Sequence, residues 1–224
     1  MDPDELSAGS SLGFDPVRRD ALDKLYTFFL GPITHDEAER LNKTLYSLAE
    51  QRHQQFQQTG RLEKTPFTIF INSPGGDVDA GLAVMNMIFR IQREYGFQVQ
   101  MVVLGTAYSM AAIILQSASR RIMEPFSTML VHAPKWAIAA SENVIFKDYE
   151  KLAEGQRRTL AHFFAQRSGK RDAAWWEEFL YSREERFLFP SECLDLGLID
   201  EVRPAFVLDR GDLTPPPITP SKGG

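Results

Sequence analysis

The apolar positions switch repeatedly between short continuous runs and a spacing near 3.6 residues, the mark of strands alternating with helices. Leu25-Tyr-Thr-Phe-Phe-Leu30 reads as a strand closed by Gly31-Pro32. Thr34 follows as an N-cap with Glu37 three residues on, the spacing of a capping box. Ala38, Leu41, Leu45, Leu48 and Ala49 then recur at helical spacing, and the polar run Gln51–Gln58 predicts an outward extension ending before Gly60. Phe67–Ile71 reads as a strand stopped by Pro74-Gly75-Gly76. Val78–Ile91 reads as a helix with an apolar face of Leu82, Met85, Ile88, Phe89 and Ile91. Val99–Leu104 is continuous enough for a strand buried on both faces. The remaining pattern predicts a short apolar helix at Ser109–Ser117 and a strand at Thr128–Val131. A long helix from about Ser141, its N-cap, runs to Arg167 and ends at Ser168-Gly169. An aromatic helix over Asp172–Tyr181 and a short one over Ser191–Leu196 complete the series.

This alternation predicts one parallel-rich α/β domain over residues 21–204, with right-handed crossovers. Residues 1–20 mix Pro, Gly, Ser and charge with little apolar period and are expected to form a mobile arm. Residues 205–224, with Pro215-Pro-Pro217, are expected to form a disordered tail.

Composition narrows the classes. The chain has 224 residues, 43% of them hydrophobic and 25% charged, which suits a globular core. A formal net charge of −5 gives no footprint for nucleic acid or an anionic membrane. The single cysteine, Cys193, excludes an internal disulfide and a cysteine-based zinc cluster. No His/Asp/Glu grouping has ligand spacing, so no metal is expected. The acidic start Met1-Asp-Pro-Asp-Glu5 lacks the features of a signal peptide, and no apolar run approaches the ~20 residues of a membrane span. A cytoplasmic setting is the expectation.

Candidate chemistry sits in three places. Ser109 lies in Gly105-Thr-Ala-Tyr-Ser-Met110, between an apolar run and a small apolar helix. His132 ends the run Met129-Leu-Val-His132. Phe67-Thr-Ile-Phe-Ile-Asn-Ser-Pro-Gly-Gly76 runs a strand into a glycine turn. Each has a bland reading: Ser109 as an N-cap, His132 as a structural histidine, and the turn as an ordinary turn. Together they are the parts of an acyl-transfer site, with a nucleophile, a base and backbone N–H donors. His35, His53 and His162 fall on polar helical faces and read as solvated. Trp175-Trp176 reads as core or subunit contact. The glycine turn lacks the Gly-Lys-Ser/Thr ending of a phosphate loop.

These motifs, from about Leu25 to Val202, resemble the ClpP family, the proteolytic subunits of Clp proteases. Phe29-Leu-Gly-Pro-Ile-Thr34 is similar to the family's first strand and turn, and Ile71-Asn-Ser-Pro-Gly-Gly76 to its glycine signature. Gly105-Thr-Ala-Tyr-Ser-Met110 and Met129-Leu-Val-His132-Ala-Pro134 resemble its serine and histidine motifs. Ser191–Asp200 resembles its closing helix and strand. The resemblance implies a ClpP/crotonase-type domain of repeated β-β-α units, with a protruding handle helix at Val144–Gln166. It implies Ser109 as nucleophile, His132 as general base, and the N–H groups of Gly76 and Met110 as the oxyanion hole. It also implies a serine endopeptidase cleaving unfolded polypeptides inside rings of about seven subunits, paired as a double ring. An AAA+ ATPase would feed that chamber, and the chain itself would hold no cofactor, ATP being used only by the partner.

The chain departs from the family in telling places. The family's triad aspartate lies six residues before a Phe; counted back from Phe187, that position is Tyr181, which cannot act as a carboxylate. Glu178 is the nominee for the missing acid; Glu184 and Glu185 are nearby but fall in the charged stretch Arg183–Arg186 and are expected to be solvated or paired with those arginines. Tyr108 and Ala133 also depart from the pattern, as do a polar insertion at Gln51–Arg61 and the Pro-rich tail. Two alternatives stand beside the peptidase: a catalytically impaired structural subunit of a mixed ring, and a crotonase-type acyl-CoA enzyme using the same glycine turn.

Overall fold

A computed structural model describes residues 25–61, 64–132, 146–181 and 185–204, with the backbone course alone given for 146–150 and 152. The expected arm and tail, the Ser141 cap and Ala133 lie outside the described residues.

Seven strands form one sheet. They are β1 (Thr27–Leu30), β2 (Phe67–Ser73), β3 (Val99–Tyr108), β4 (Arg120–Met123), β5 (Thr128–Val131), β6 (Arg186–Leu188) and β7 (Glu201–Val202). The main path runs β1-β2-β3-β4-β7, all parallel, and β5 pairs β3 on one side and β6 on the other. The helices are α1 (His35–Thr59), α2 (Val78–Tyr95), α3 (Met110–Leu115), α4 (Phe146–Ser168), α5 (Ala173–Tyr181) and α6 (Pro190–Asp195). The architecture is the parallel-dominated α/β fold expected from the alternation.

Period-two burial on β2 drives the packing. Phe67, Ile69 and Ile71 are buried, while Thr68 and Phe70 are only partly so and Asn72 is exposed. The buried set belongs to one hydrophobic core with Leu41 and Leu45 of α1 and Val84, Ile88 and Ile91 of α2. Every residue of α3 is buried, which explains a helix written wholly in apolar letters. In α4 the described side chains up to Thr159 are exposed except for the half-buried Gln156, and burial begins at Leu160. The front of the helix therefore projects, as a handle does. Its rear packs Phe164 against Trp176 (ring centroids 5.1 Å apart), so the tryptophan pair serves the core.

Several local expectations need correction. The Thr34 cap forms, with the Glu37 N–H donating to Thr34 Oγ1 at 3.2 Å, but the Glu37 carboxylate pairs with Arg40 instead of completing the box. The extension of α1 is helical to Thr59 but does not simply point outward. Arg52 is 3% exposed, with its guanidinium carbon 4.4 Å from the Phe97 ring centroid and 4.9 Å from that of Tyr26. Stacking on aromatic faces and a 2.6 Å bond to the Thr65 carbonyl explain how this cation is buried inside a polar stretch. β3 continues four residues beyond Leu104, and β4 and β6 were not anticipated.

The continuation of β3 forks the sheet. Gln100–Val103 pairs with β4, while Thr106–Tyr108 pairs with β5. At the fork the β2–β3 register slips, from Ile71 opposite Val103 to Ser73 opposite Ala107. Asn72 fills the slip: its Oδ1 accepts from the Thr106 N–H at 3.1 Å and the Thr106 hydroxyl at 3.2 Å. A Cβ on Gly105 would stand 2.7 Å from that oxygen, so a larger residue there would push the Asn72 amide off its bonds to Thr106. Among the described residues no helix is long and apolar enough to cross a membrane.

Candidate active site

Ser109 is the one non-glycine residue with positive φ among those described, at φ 54°, ψ −121°. Its side chain makes no cap hydrogen bond, which removes the N-cap reading. Three backbone bonds hold the strained turn. The Ser109 N–H donates to the Leu130 carbonyl at 2.8 Å, and the Ser109 carbonyl accepts from Ala112 (3.0 Å) and Ile113 (3.3 Å). A serine held at positive φ on a tight turn between strand and helix has the backbone arrangement of a nucleophile elbow.

The glycine turn lies against it. Gly75 has φ +93°, and a Cβ there would stand 2.7 Å from the Tyr108 carbonyl oxygen and 2.8 Å from Ser109 Cβ. The Ser73 hydroxyl accepts the Gly75 N–H at 3.1 Å and fixes the turn. Gly76, at φ +149°, meets a different neighbour, since its Cβ would come within 2.1 Å of the Ile33 carbonyl oxygen. The bridge to Ile33 uses the Gly75 carbonyl and the Asp77 N–H, both at 2.9 Å, so the Gly76 N–H is not spent on it. Met110 opens α3, where a first-turn N–H has no intrahelical acceptor.

His132 follows β5 and is half-buried. Pairing of Tyr108 with Leu130 brings the Ser109 turn and the His132 end of β5 to the same edge of adjacent strands. Tyr108 ties a third strand to this edge: its hydroxyl lies 2.8 Å from Thr128 Oγ1, and its ring packs edge-on against Phe187 of β6 at 5.5 Å. Sequence reading noted Tyr108 only as a departure from pattern.

Tyr181 ends α5, half-buried, with the Arg157 guanidinium carbon 4.6 Å from its ring centroid. Burial pushes its phenol up to about 12, so it is neutral across the working range of pH. Glu178 is exposed, on the side of α5 away from buried Trp176, Phe179 and Leu180. A cavity of about 700 Å³ opens beside Met110 and Ile113, walled by Leu82 and Phe89 of α2 and Leu160 and Phe163 of α4. A second groove of about 570 Å³, between α1 and α2, holds none of the candidate groups. His162 is exposed, as expected. His35 stands 3.4 Å from Asp77 and His53 is 2.9 Å from Gln57 Nε2.

The parallel-dominated α/β fold is consistent with the Clp type, and comparison with known proteins shows the family. Residues 15–205 match the Clp protease family model, and the chain belongs to that family. It is 28% identical over 182 residues to an ATP-dependent Clp protease proteolytic subunit of Chlorella vulgaris, covering 80% of this chain and 76% of that one. It is 28% identical over 200 residues to proteolytic subunit 1 of Streptomyces coelicolor, covering 88% and 82%. A chloroplastic subunit 3 of Arabidopsis thaliana is 30% identical over 158 residues, covering 68% and 48%.

Proposed function

We propose that this chain is an active serine endopeptidase subunit of a Clp-type protease, cutting unfolded polypeptides inside a ring-shaped chamber supplied by an ATPase unfoldase. Ser109 Oγ attacks the scissile carbonyl carbon while His132 takes its proton. The resulting oxyanion accepts hydrogen bonds from the Gly76 and Met110 N–H groups. Collapse breaks the C–N bond, and the leaving amine takes the proton from His132. Water, activated by the same histidine, then hydrolyses the acyl-serine. The apolar cavity beside Met110 suits an apolar substrate side chain next to the cut bond. The chain needs no cofactor for these steps, and the ATP belongs to the partner.

The strained Ser109 turn carries this reading, because strain of about 1–3 kcal/mol at a residue that caps nothing has no structural use. One observation favours the structural-subunit alternative, namely the neutral phenol of Tyr181 where the family's acid is expected. The family match leaves the acyl-CoA reading without support. Reaction with a fluorophosphonate probe separates the two that remain. The peptidase reading expects labelling that Ser109→Ala abolishes; an assembled wild-type ring that does not label is a structural subunit.

A further inference from the structure

The family's acid position holds a phenol, yet the sheet offers another carboxylate to the base. β5 and β6 pair antiparallel in the register Met129 with Leu188, Leu130 with Phe187 and Val131 with Arg186. Extending that register one residue past the ladder's last pair sets His132, half-buried, opposite Glu185, which is exposed and precedes β6. Directly opposed residues of an antiparallel ladder point to the same face, with Cβ atoms roughly 4.5–5.5 Å apart. An imidazole and a glutamate at that separation reach hydrogen-bond distance. Alternation assigns the neighbouring cation to the other face, where the Arg186 guanidinium carbon lies 5.2 Å from the Phe179 ring centroid.

The register is well pinned. Leu188 is buried opposite Met129, and the Phe187 ring packs against Tyr108, the residue before the nucleophile. Beyond β6, the Glu192 carboxylate accepts the Phe189 N–H at 2.8 Å and fixes the start of α6. Strand order at this edge is then β2, β3, β5, β6, which carries in sequence the glycine turn, Ser109, His132 and Glu185. Neighbouring strands lie about 4.8 Å apart, so each group stands within side-chain reach of the next.

We propose that Glu185 is the positioning acid of this site. It accepts the His132 Nδ1–H, holds the imidazole toward Ser109 and offsets the charge formed when His132 takes the serine proton. The proposal deepens the peptidase reading and rests on it for its kinetic consequence, but not for the placement itself.

The full-length assembled protein tests both. Glu185→Gln is expected to slow fluorophosphonate labelling of Ser109 by about 10²- to 10⁴-fold, the range for loss of an orienting carboxylate or of acid–base help. Glu185→Asp should retain most of the rate. In a His132→Ala background, Glu185→Gln should cost nothing further, because its partner is already gone. Independently of activity, protein labelled with ¹⁵N-histidine should show a low-field Nδ1–H proton that disappears in both His132→Ala and Glu185→Gln. A wild-type labelling rate in Glu185→Gln, or a loss that persists undiminished in the His132→Ala background, overturns the proposal. So does a His132 proton that is indifferent to Glu185→Gln. If that proton depends on Glu185 while the wild type never labels, the placement stands and the peptidase reading falls.

Discussion

Replacing Ser109 with glycine should stabilise the protein while abolishing its chemistry. At φ 54°, ψ −121° the residue occupies the conformation of the first central position in a type II′ turn, which glycine adopts freely and serine does not. Holding a side chain there costs about 1–3 kcal/mol. Glycine removes that cost but gives the unfolded chain extra freedom worth roughly 0.5–1 kcal/mol. Ser109→Ala keeps the Cβ, and with it the strain, so it is the proper reference: neither variant has a nucleophile, and only one relaxes. The expected difference is about 1 kcal/mol in favour of Ser109→Gly, or about 2–4 °C in Tm for a chain of this size. Thermal unfolding followed by circular dichroism measures it, with all samples at one protein concentration because assembly shifts Tm. Fluorophosphonate labelling should be absent in both. A Ser109→Gly protein melting at or below Ser109→Ala would show that the turn stores no strain, and the argument from strain to function would fail with it.

Two further outcomes follow from the geometry. Gly75→Ala forces a Cβ to within 2.7 Å of the Tyr108 carbonyl oxygen at φ +93°, so it should cost about 2–5 kcal/mol and displace the Ser109 turn. Unfolding in urea and probe labelling should both report the loss, and a stable, fully reactive Gly75→Ala would refute the close contact. The second outcome concerns acid. Burial raises the Asp200 carboxyl, but hydrogen bonds and charge from Arg121 outweigh this and hold it below the usual carboxylate value. A folded pKa below the unfolded ~3.9 gives stability that is fully present above that pH and lost as pH falls through the folded value. Wild type should therefore exceed Asp200→Asn in urea midpoint at pH 7, with the gap closing below about pH 4; a gap constant with pH would deny the coupling.

The elements with a strong period were legible in the sequence, and those set by partners were not. Phe67–Ile71 and Val78–Ile91 show their burial in their own spacing, and the structure places them within a few residues of the expected bounds. The continuous apolar run of β3 ends at Leu104, but the strand continues through Gly105, whose missing Cβ leaves the space taken by the Asn72 side chain. β4 opens with Arg120-Arg121, and buried Arg121 is satisfied by the Asp200 carboxylate, 79 residues away, together with Gln116 Oε1 and the Gly197 carbonyl. Arg52 likewise depends on an aromatic box drawn from three separate segments. For the site, Ser109, His132 and the glycine turn carried readable local signatures. The β5–β6 register from which the Glu185 proposal is argued did not, since register is a property of two segments and no single stretch of sequence encodes it.

The fork in the sheet accounts for why these groups meet. The slip at Asn72 turns the distal half of β3 away from β4, which leaves its free side open for β5. Ser73, one residue on, tethers the Gly75 N–H, and Gly75 in turn lies against Ser109. Asn72 and Ser73 at the end of β2 and Gly75 just beyond it therefore set the fork, the glycine turn and the seat of Ser109, while β5 brings His132 to the same edge. A triad acid at the end of α5 would depend on how that helix is spaced from α4. The proposed acid, in the residue before β6, depends instead on the β5–β6 ladder, which is pinned by buried Leu188 and by the Tyr108–Phe187 contact. With the proposed acid placed off α5, a phenol at Tyr181 is compatible with a working base.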